Sequence, residues 1–193
     1  MQRLDTRLEG PILIQPVVHG DERGFLIESY RRERYAELGI GEEFIQDNHS
    51  RSGIGVLRGM HFQVGDGMAK LVRCPRGAIL DVVVDLRRGS PTFGEWEGHR
   101  LDDENQRQLY CPIGFAHGFV VLSETADVMY KCSSYYDGSI ERGFAYDDPD
   151  VAIAWPEHLE LRVSARDSAA PRLREIQDEL PFAYREPAAA RGA

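Results

Sequence analysis

The amino-acid sequence predicts an all-β protein, folded as a sandwich or a barrel with a few short helices at its periphery. Apolar, β-branched and aromatic residues occur in many short runs, as they do in half-buried strands. Turn residues separate these runs at fairly regular spacing, for example in segments 20–24, 88–91 and 147–150. Many short strands joined by turns are typical of sandwiches and barrels.

The predicted elements follow one another along most of the chain. The strands are expected at 11–18, 24–30, 44–49, 55–63, 70–74, 78–86, 96–101, 108–111, 118–122, 128–133 and 151–155. One helix is expected at 31–38, because Gly39 suits the position after a helix, and another at 172–180, after Pro171. Residues 1–185 are predicted to form a single domain. Residues 186–193 contain alanine, arginine and proline without periodicity and are predicted to be a disordered tail.

Composition and charge exclude several classes of function. The net charge of −9 argues against general nucleic-acid binding, although a local arginine cluster can still bind a small anion. The apolar runs are too short to span a bilayer, and residues 1–10 lack the apolar stretch of a signal peptide. We therefore expect a cytoplasmic protein with neither a membrane nor a nucleic-acid partner. Cys74, Cys111 and Cys132 have no zinc-type spacing and are predicted to be buried thiols.

Two segments place a histidine inside an apolar, strand-like run. His61 lies in segment 56–63 and His117 in segment 108–119. A buried histidine needs hydrogen-bond partners, so the two together predict a polar cavity inside the β-fold. Arg58 precedes His61 by three residues, which would place the two side chains on opposite faces of a regular strand. If both serve the cavity, the strand must contain a bulge, and Gly59 is the natural position for it.

A series of motifs follows in order through residues 8–170. They are Asp21-Glu22-Arg23-Gly24-Phe25 with Glu28, then 44–50, 56–63, 70–73, 81–94, 112–119, 130–131, 135–136, 141–143, 148–150, 155–156 and 164–167. This order resembles that of the dTDP-4-dehydrorhamnose 3,5-epimerases, a family of cupin jelly rolls. The chain departs from the family in loop 64–69, which lacks a proline-rich lead-in to Lys70, and at Ala69, where the family commonly has glycine.

The resemblance implies an epimerase of sugar nucleotides that uses no cofactor and no metal. The expected substrate is dTDP-4-keto-6-deoxy-D-glucose, inverted at C3 and C5 through enolates to give dTDP-4-keto-L-rhamnose. The resemblance also implies a homodimer, in which the N-terminal strands 11–18 and 24–30 would exchange between subunits.

This chemistry requires a base, a group that stabilises the enolate, and an acid on the opposite face of the sugar. A proton beside the C4 ketone is a weaker acid than imidazolium by about a dozen pKa units, or roughly 16 kcal/mol. By the resemblance, His61 is the base, and Asp167 orients it and stabilises the imidazolium, as in the serine-protease triad. Lys70 and Arg58 are expected to bind the C4 oxygen and a nearby phosphate. Tyr130 is the expected acid.

The remaining matched residues are predicted to hold the nucleotide sugar. A guanidinium pairs two phosphate oxygens at once, aromatic rings offer stacking surface, and amides and carboxylates bond a pyrimidine edge. The predicted set comprises Arg23 and Arg166 for the diphosphate, Phe25 and Tyr136 for stacking, and Glu28, Gln46, Asn48, His117 and Glu141 for polar contacts. Two of these have simpler alternatives: Arg23 as a turn residue paired with Asp21, and His117 as a cavity histidine with its bonds satisfied.

Other functions are compatible with a cupin fold. A metal-dependent cupin usually shows His-x-His followed closely by glutamate. Here the corresponding residues are His61-Phe62-Gln63, and the next glutamate in the sequence is Glu95, which argues against a metal site. A dTDP-sugar ketoisomerase tends to carry paired histidines, and Gln63 argues against that reading. A sugar-nucleotide-binding module would need no base, acid or lysine. Epimerisation at C3 alone, or at C5 alone, remains an alternative because it needs the same residues.

Overall fold

A computed structural model describes residues 1–186 and confirms the all-β prediction; residues 187–193 of the predicted tail lie outside that part. The strands are β1 (Gln2–Leu4), β2 (Ile12–Gln15), β3 (Val18–Asp21), β4 (Gly24–Ile27), β5 (Gln46–Gly53), β6 (Leu57–Gln63), β7 (Lys70–Arg76), β8 (Ala78–Asp85), β9 (Trp96–Asp102), β10 (Gln108–Cys111), β11 (Phe115–Val121), β12 (Thr125–Cys132) and β13 (Glu141–Gly143). The helices are α1 (Arg32–Glu37), α2 (Ala165–Ser168) and α3 (Leu173–Ile176), with a 3-10 helix at Gln177–Glu179.

The strands form two antiparallel sheets that pack as a sandwich. The order is β1-β2-β10-β7-β12-β5 in the six-stranded sheet and β13-β6-β11-β8-β9 in the five-stranded sheet. Within the part of the chain that the structure describes, strands β3 and β4 pair only with each other, as a separate hairpin. Within residues 1–186, no helix is long and apolar enough to cross a membrane.

Strand β8 shows how the five-stranded sheet is buried on both faces. Ile79 and Val83 belong to the apolar cluster between the sheets. The alternate residues Val82 and Val84 join a second cluster, to which the C-terminal segment contributes Leu180. A strand covered on both sides needs apolar residues at nearly every position, which accounts for the dense apolar run at 78–86.

The predicted strand 151–155 is wrong, because these residues form no strand. Val151 packs in the cluster outside the five-stranded sheet, and the indole N–H of Trp155 donates to the carbonyl of Tyr146 at 2.8 Å. Burial of single side chains therefore accounts for this apolar run, and a short run of this kind does not distinguish a strand from a packed coil.

Short elements account for most of the other differences. The predicted helix 172–180 is shorter and divides into α3 and the 3-10 helix. Strands β1 and β13 and helix α2 were not predicted, and each has only three or four residues. Helix α2 is stabilised by Ser164, whose side chain accepts a hydrogen bond from the backbone N–H of Asp167 at 3.0 Å.

The predicted bulge in β6 is confirmed. Arg58 pairs with Phe119 and His61 pairs with His117, so three steps along β6 match two along β11. Gly59 has φ +149°, and a Cβ at this position would lie 2.6 Å from the Cα of Gly118. Only glycine allows the two strands to approach this closely. The extra residue brings Arg58 and His61 to the same cavity.

Candidate active site

A cavity of about 530 Å³ lies between the sheets and contains both histidines, as the sequence predicts. The six-stranded sheet contributes one wall, the five-stranded sheet the other, and the segment around α2 closes one side. The polar residues that line it are Ser50, Arg58, His61, Lys70, His117, Tyr130, Glu141, Arg162, Ser164, Arg166 and Asp167.

His61 and Asp167 form a hydrogen-bonded pair in the wall of this cavity. The His61 Nε2 atom lies 2.7 Å from Asp167 Oδ1, and the Asp167 side chain is only 6% exposed. Burial lowers the pKa of His61, and the adjacent carboxylate opposes this effect without cancelling it. The imidazole is therefore neutral at physiological pH. Its Nδ1 atom has no hydrogen-bond partner among residues 1–186, which leaves it able to accept a proton.

Three cations that line the cavity, Arg58, Lys70 and Arg162, have no carboxylate partner within residues 1–186. Neither Lys70 nor Arg58 forms a salt bridge with any residue in the described part of the chain. The guanidinium of Arg58 donates to the Ser52 hydroxyl, at 3.3 Å from Nε and 3.2 Å from Nη2. The Lys70 ammonium lies 5.8 Å from the centre of the Tyr130 ring. These cations make the cavity a local site that attracts a negatively charged ligand, although the protein as a whole has a net charge of −9.

Tyr130 stands on the wall opposite His61. It belongs to β12 of the six-stranded sheet, whereas His61 belongs to β6 of the five-stranded sheet. Burial raises the pKa of the Tyr130 phenol, and the Asn48 side chain opposes this only in part. The phenol therefore keeps its proton near neutral pH. A ligand between the two sheets would have a neutral imidazole on one side and a protonated phenol on the other.

Tyr136, Glu141 and Arg166 form a polar cluster beside the cavity. The Tyr136 hydroxyl donates to Glu141 Oε2 at 3.0 Å, and Arg166 pairs with the same oxygen. The backbone N–H of Tyr136 donates to Gln46 Oε1 at 2.9 Å, and Gln46 Nε2 donates to Asn48 Oδ1 at 3.0 Å. The structure thus brings five predicted ligand residues into one hydrogen-bonded group.

Three predicted residues lie apart from the cavity within one chain. Arg23 and Phe25 are on the β3–β4 hairpin and line a small surface pocket made by that hairpin alone. The Arg23 guanidinium pairs with Asp21, as in the simpler reading of that residue, and Phe25 is 58% exposed. Glu28 pairs with Arg34 at 3.0 Å.

The sequence reasoning missed Arg162, Asp81, Ser50 and Ser164. Asp81 is fully buried, and its Oδ1 lies 2.8 Å from His117 Nε2. A carboxylate inside the apolar run 78–86 is a signal that could have found it. Ser50 lines the cavity beside Tyr130. The Ser164-x-x-Asp167 spacing is an N-cap pattern and could have identified the residue that holds Asp167.

A second cavity, of about 450 Å³, meets the first at His61 and Asp167. It lies under the C-terminal segment on the outer side of the five-stranded sheet, and Met60, Phe62 and Leu180 contribute apolar walls. It contains neither Lys70 nor Tyr130, so of these two cavities the one between the sheets holds His61, Lys70 and Tyr130 together. Among the residues described, no three His, Cys, Asp or Glu side chains are grouped so that they could hold a metal ion.

Comparisons with known proteins show the family of the chain. The model of the dTDP-4-dehydrorhamnose 3,5-epimerase family matches residues 5–175. The chain is 49% identical over 173 residues to the dTDP-4-dehydrorhamnose 3,5-epimerase of Salmonella typhimurium, covering 88% of this chain and 94% of that protein. It is 45% identical over 173 residues to the dTDP-4-dehydrorhamnose 3-epimerase of Streptomyces niveus, covering 89% of this chain and 83% of that one.

A solved structure extends the likeness to the whole fold. The dTDP-6-deoxy-D-glucose-3,5-epimerase of Legionella pneumophila Philadelphia 1, in complex with dTDP-4-keto-L-rhamnose, is 47% identical to this chain. The two structures give a TM-score of 0.92, covering 95% of this chain and 98% of that one. Solved members of this group are cupin jelly rolls, which confirms the fold class implied by the resemblance. The chain belongs to the dTDP-4-dehydrorhamnose 3,5-epimerase family.

Proposed function

We propose that the protein inverts C3 and C5 of dTDP-4-keto-6-deoxy-D-glucose, without a cofactor, to give dTDP-4-keto-L-rhamnose. The observation that supports this best is the arrangement of one cavity. A neutral histidine backed by a carboxylate faces a protonated tyrosine across it, and Lys70 and Arg58, which have no carboxylate partner within residues 1–186, line the same cavity. Proton abstraction beside a ketone needs these groups, and simple binding of a sugar nucleotide does not.

His61 removes the proton through Nδ1. The Nε2 atom keeps its own proton in the bond to Asp167, which holds the ring in one tautomer. As Nδ1 becomes protonated, the carboxylate stabilises the imidazolium by direct attraction. The buried position of Asp167 strengthens this attraction because little water screens it.

Lys70 and Arg58 stabilise the enolate oxygen at C4 that forms when the proton leaves. Each positive charge is already present in the cavity before substrate arrives, so little reorganisation is needed as negative charge develops. Tyr130 then donates its phenolic proton to the opposite face of the planar enolate carbon. Donation from that face inverts the carbon, whereas return of the proton from His61 would restore it. Before the second carbon reacts, His61 releases the abstracted proton to solvent and the Tyr130 phenolate takes one up from solvent.

The nucleotide is held at the side of the cavity by the cluster of Tyr136, Glu141 and Arg166, together with Gln46 and Asn48. His117, oriented by Asp81, supplies a further polar contact to the sugar or its phosphate.

A homodimer with exchanged N-terminal strands completes the site. The β3–β4 hairpin exposes Phe25 at 58% and Leu26 at 72%, which is unusual for large apolar side chains next to one another. Strand β5 is an edge strand that pairs only with β12, so its other side is open to pairing within the part described. We place Arg23, Phe25 and Glu28 against the cavity of a second copy. A cytoplasmic location is part of the proposal, supported by three buried cysteines that remain unpaired.

Proton NMR of dTDP-4-keto-6-deoxy-D-glucose incubated in D2O tests the reaction, with His61→Ala alongside the wild type. We expect deuterium at both C3 and C5 with wild-type protein, and at neither carbon with the variant. Deuterium at C3 alone would support the second candidate, a C3 epimerase, which the likeness to the Streptomyces niveus 3-epimerase favours. No exchange at either carbon would exclude both reactions.

A further inference from the structure

Strand β5 presents four polar side chains to the interior of the sandwich. Gln46, Asn48, Ser50 and Ser52 alternate with outward residues along the strand. The side-chain partners of three of them lie within the protein. Gln46 bonds Asn48 and the backbone of Tyr136, Asn48 also approaches Cys132 Sγ at 3.7 Å, and Ser52 accepts from Arg58.

Ser50 differs from the other three. Its Oγ atom is buried, yet it has no hydrogen-bond partner among residues 1–186. A buried hydroxyl left unsatisfied costs about 1–3 kcal/mol, and native proteins seldom retain one without a reason. In this fold the hydroxyl lines the cavity between the sheets, together with Arg58 and Tyr130.

The position of Ser50 defines what it can reach. On the neighbouring strand β12, its register partner is Val128, and Tyr130 is the partner of Asn48 two residues away. Ser50 therefore stands on the same wall as the proposed acid and opposite His61. A hydroxyl is uncharged and both donates and accepts, so it suits a hydroxyl group better than a phosphate, for which the cations are available.

We infer that Ser50 is a substrate-binding residue that hydrogen-bonds a hydroxyl group of the hexose and so orients the ring against Tyr130. This inference rests on the proposed function. No residue of the described chain satisfies this hydroxyl, and a hydroxyl group of the sugar does so on binding. Ser50 thus belongs to the sugar-recognition part of the site and not to the nucleotide part.

The test compares Ser50→Ala with Ser123→Ala. Ser123 is a matched control because its hydroxyl is satisfied inside the protein: it accepts from the N–H of Ala78 at 2.9 Å and donates to the carbonyl of Thr125 at 2.8 Å. Calorimetric titration with dTDP-L-rhamnose and with dTDP separates sugar contacts from nucleotide contacts. Thermal unfolding of the free proteins reports any structural role.

For Ser50→Ala we expect the affinity for dTDP-L-rhamnose to fall about three- to tenfold, the loss of one neutral hydrogen bond, with dTDP affinity unchanged. Its Tm should stay the same or rise, because an unsatisfied hydroxyl has been removed. Ser123→Ala should show the reverse, a lower Tm with unchanged affinities. Ser50→Thr, which keeps a hydroxyl, should restore the sugar affinity.

Two results would overturn the inference. One is an unchanged affinity of Ser50→Ala for dTDP-L-rhamnose; the other is an equal loss for dTDP and dTDP-L-rhamnose, which would place the contact on the nucleotide. If wild-type protein binds dTDP-L-rhamnose but exchanges no proton of the keto sugar in D2O, the proposed reaction is wrong instead. Failure of the Ser50 inference and failure of the proposed reaction are therefore distinguishable.

Discussion

Replacing Asp167 by asparagine would remove one charge from the proposed catalytic pair while keeping nearly the same side-chain shape. The Ser164 cap should survive, because it bonds the backbone N–H of residue 167 and not the carboxylate. With the His61 and Asp167 charges about 4 Å apart and an effective dielectric constant of about 20, the carboxylate stabilises a full imidazolium by about 4 kcal/mol. A transition state with the proton half transferred would lose about 2 kcal/mol, or roughly 30-fold in rate.

The same substitution should shift the pH dependence in a defined direction. His61 acts as a base only when neutral, so activity declines as pH falls through its folded-state pKa. Burial lowers that pKa, and Asp167 is the main influence that raises it. Without the carboxylate, the pKa of His61 falls further and the acid limb of the rate profile moves to lower pH. The variant should therefore have a lower maximal rate, and it should retain a larger fraction of that rate at low pH than the wild type does.

The assay is the initial rate of deuterium entry at C3 and C5 by proton NMR, measured from about pD 4.5 to 8 so as to span the ordinary histidine pKa. Asp148→Asn is the matched control, since Asp148 is also buried but accepts from the backbone N–H of Leu173 at 2.6 Å and does not line the cavity. It should lower Tm and leave the acid limb in place. An Asp167→Asn protein with unchanged rate, or with its acid limb moved to higher pH, would refute the assigned role of the pair.

Other substitutions test the remaining roles. Tyr130→Phe should reduce inversion by about 10²-fold or more while deuterium still enters with retention, because His61 can remove and return a proton without the acid; loss of exchange together with inversion would contradict this. Lys70→Met should lower kcat by about 10²–10³-fold with a much smaller change in KM, and a change confined to KM would show that the lysine only binds substrate. Co-expression of Arg23→Ala with His61→Ala should recover about a quarter of wild-type activity, because half of the dimers are mixed and each mixed dimer has one intact site. No recovery above the separate variants would exclude a site shared between subunits.

The local pattern of the chain was sufficient for the fold class and for the bulge. Alternation of apolar residues and turn chemistry are short-range properties, and they predicted most strands of both sheets, including β10 with its bounds. The conflict between strand period and the three-residue spacing of Arg58 and His61 likewise needed only local geometry, and Gly59 resolves it as expected.

The partners of the two histidines depended on tertiary structure. Asp167 lies 106 residues from His61, and residues alone offered no geometric reason to pair them; the resemblance to a family supplied that pairing. Asp81, 36 residues from His117, was missed altogether. Contacts at such separations are set by strand register between distant segments, and no local pattern encodes a register.

The sequence by itself therefore determined the all-β class and, through the resemblance, the family, and it supplied the side chains proposed to react. Only the tertiary structure decided that Tyr130 faces His61 from the opposite sheet, that the Ser50 hydroxyl has no partner within residues 1–186, and that Arg23 and Phe25 lie away from the cavity of their own subunit. The physical reason is that residue type sets the chemical properties of a side chain, whereas the packing of the two sheets sets its position relative to the other side chains of the cavity.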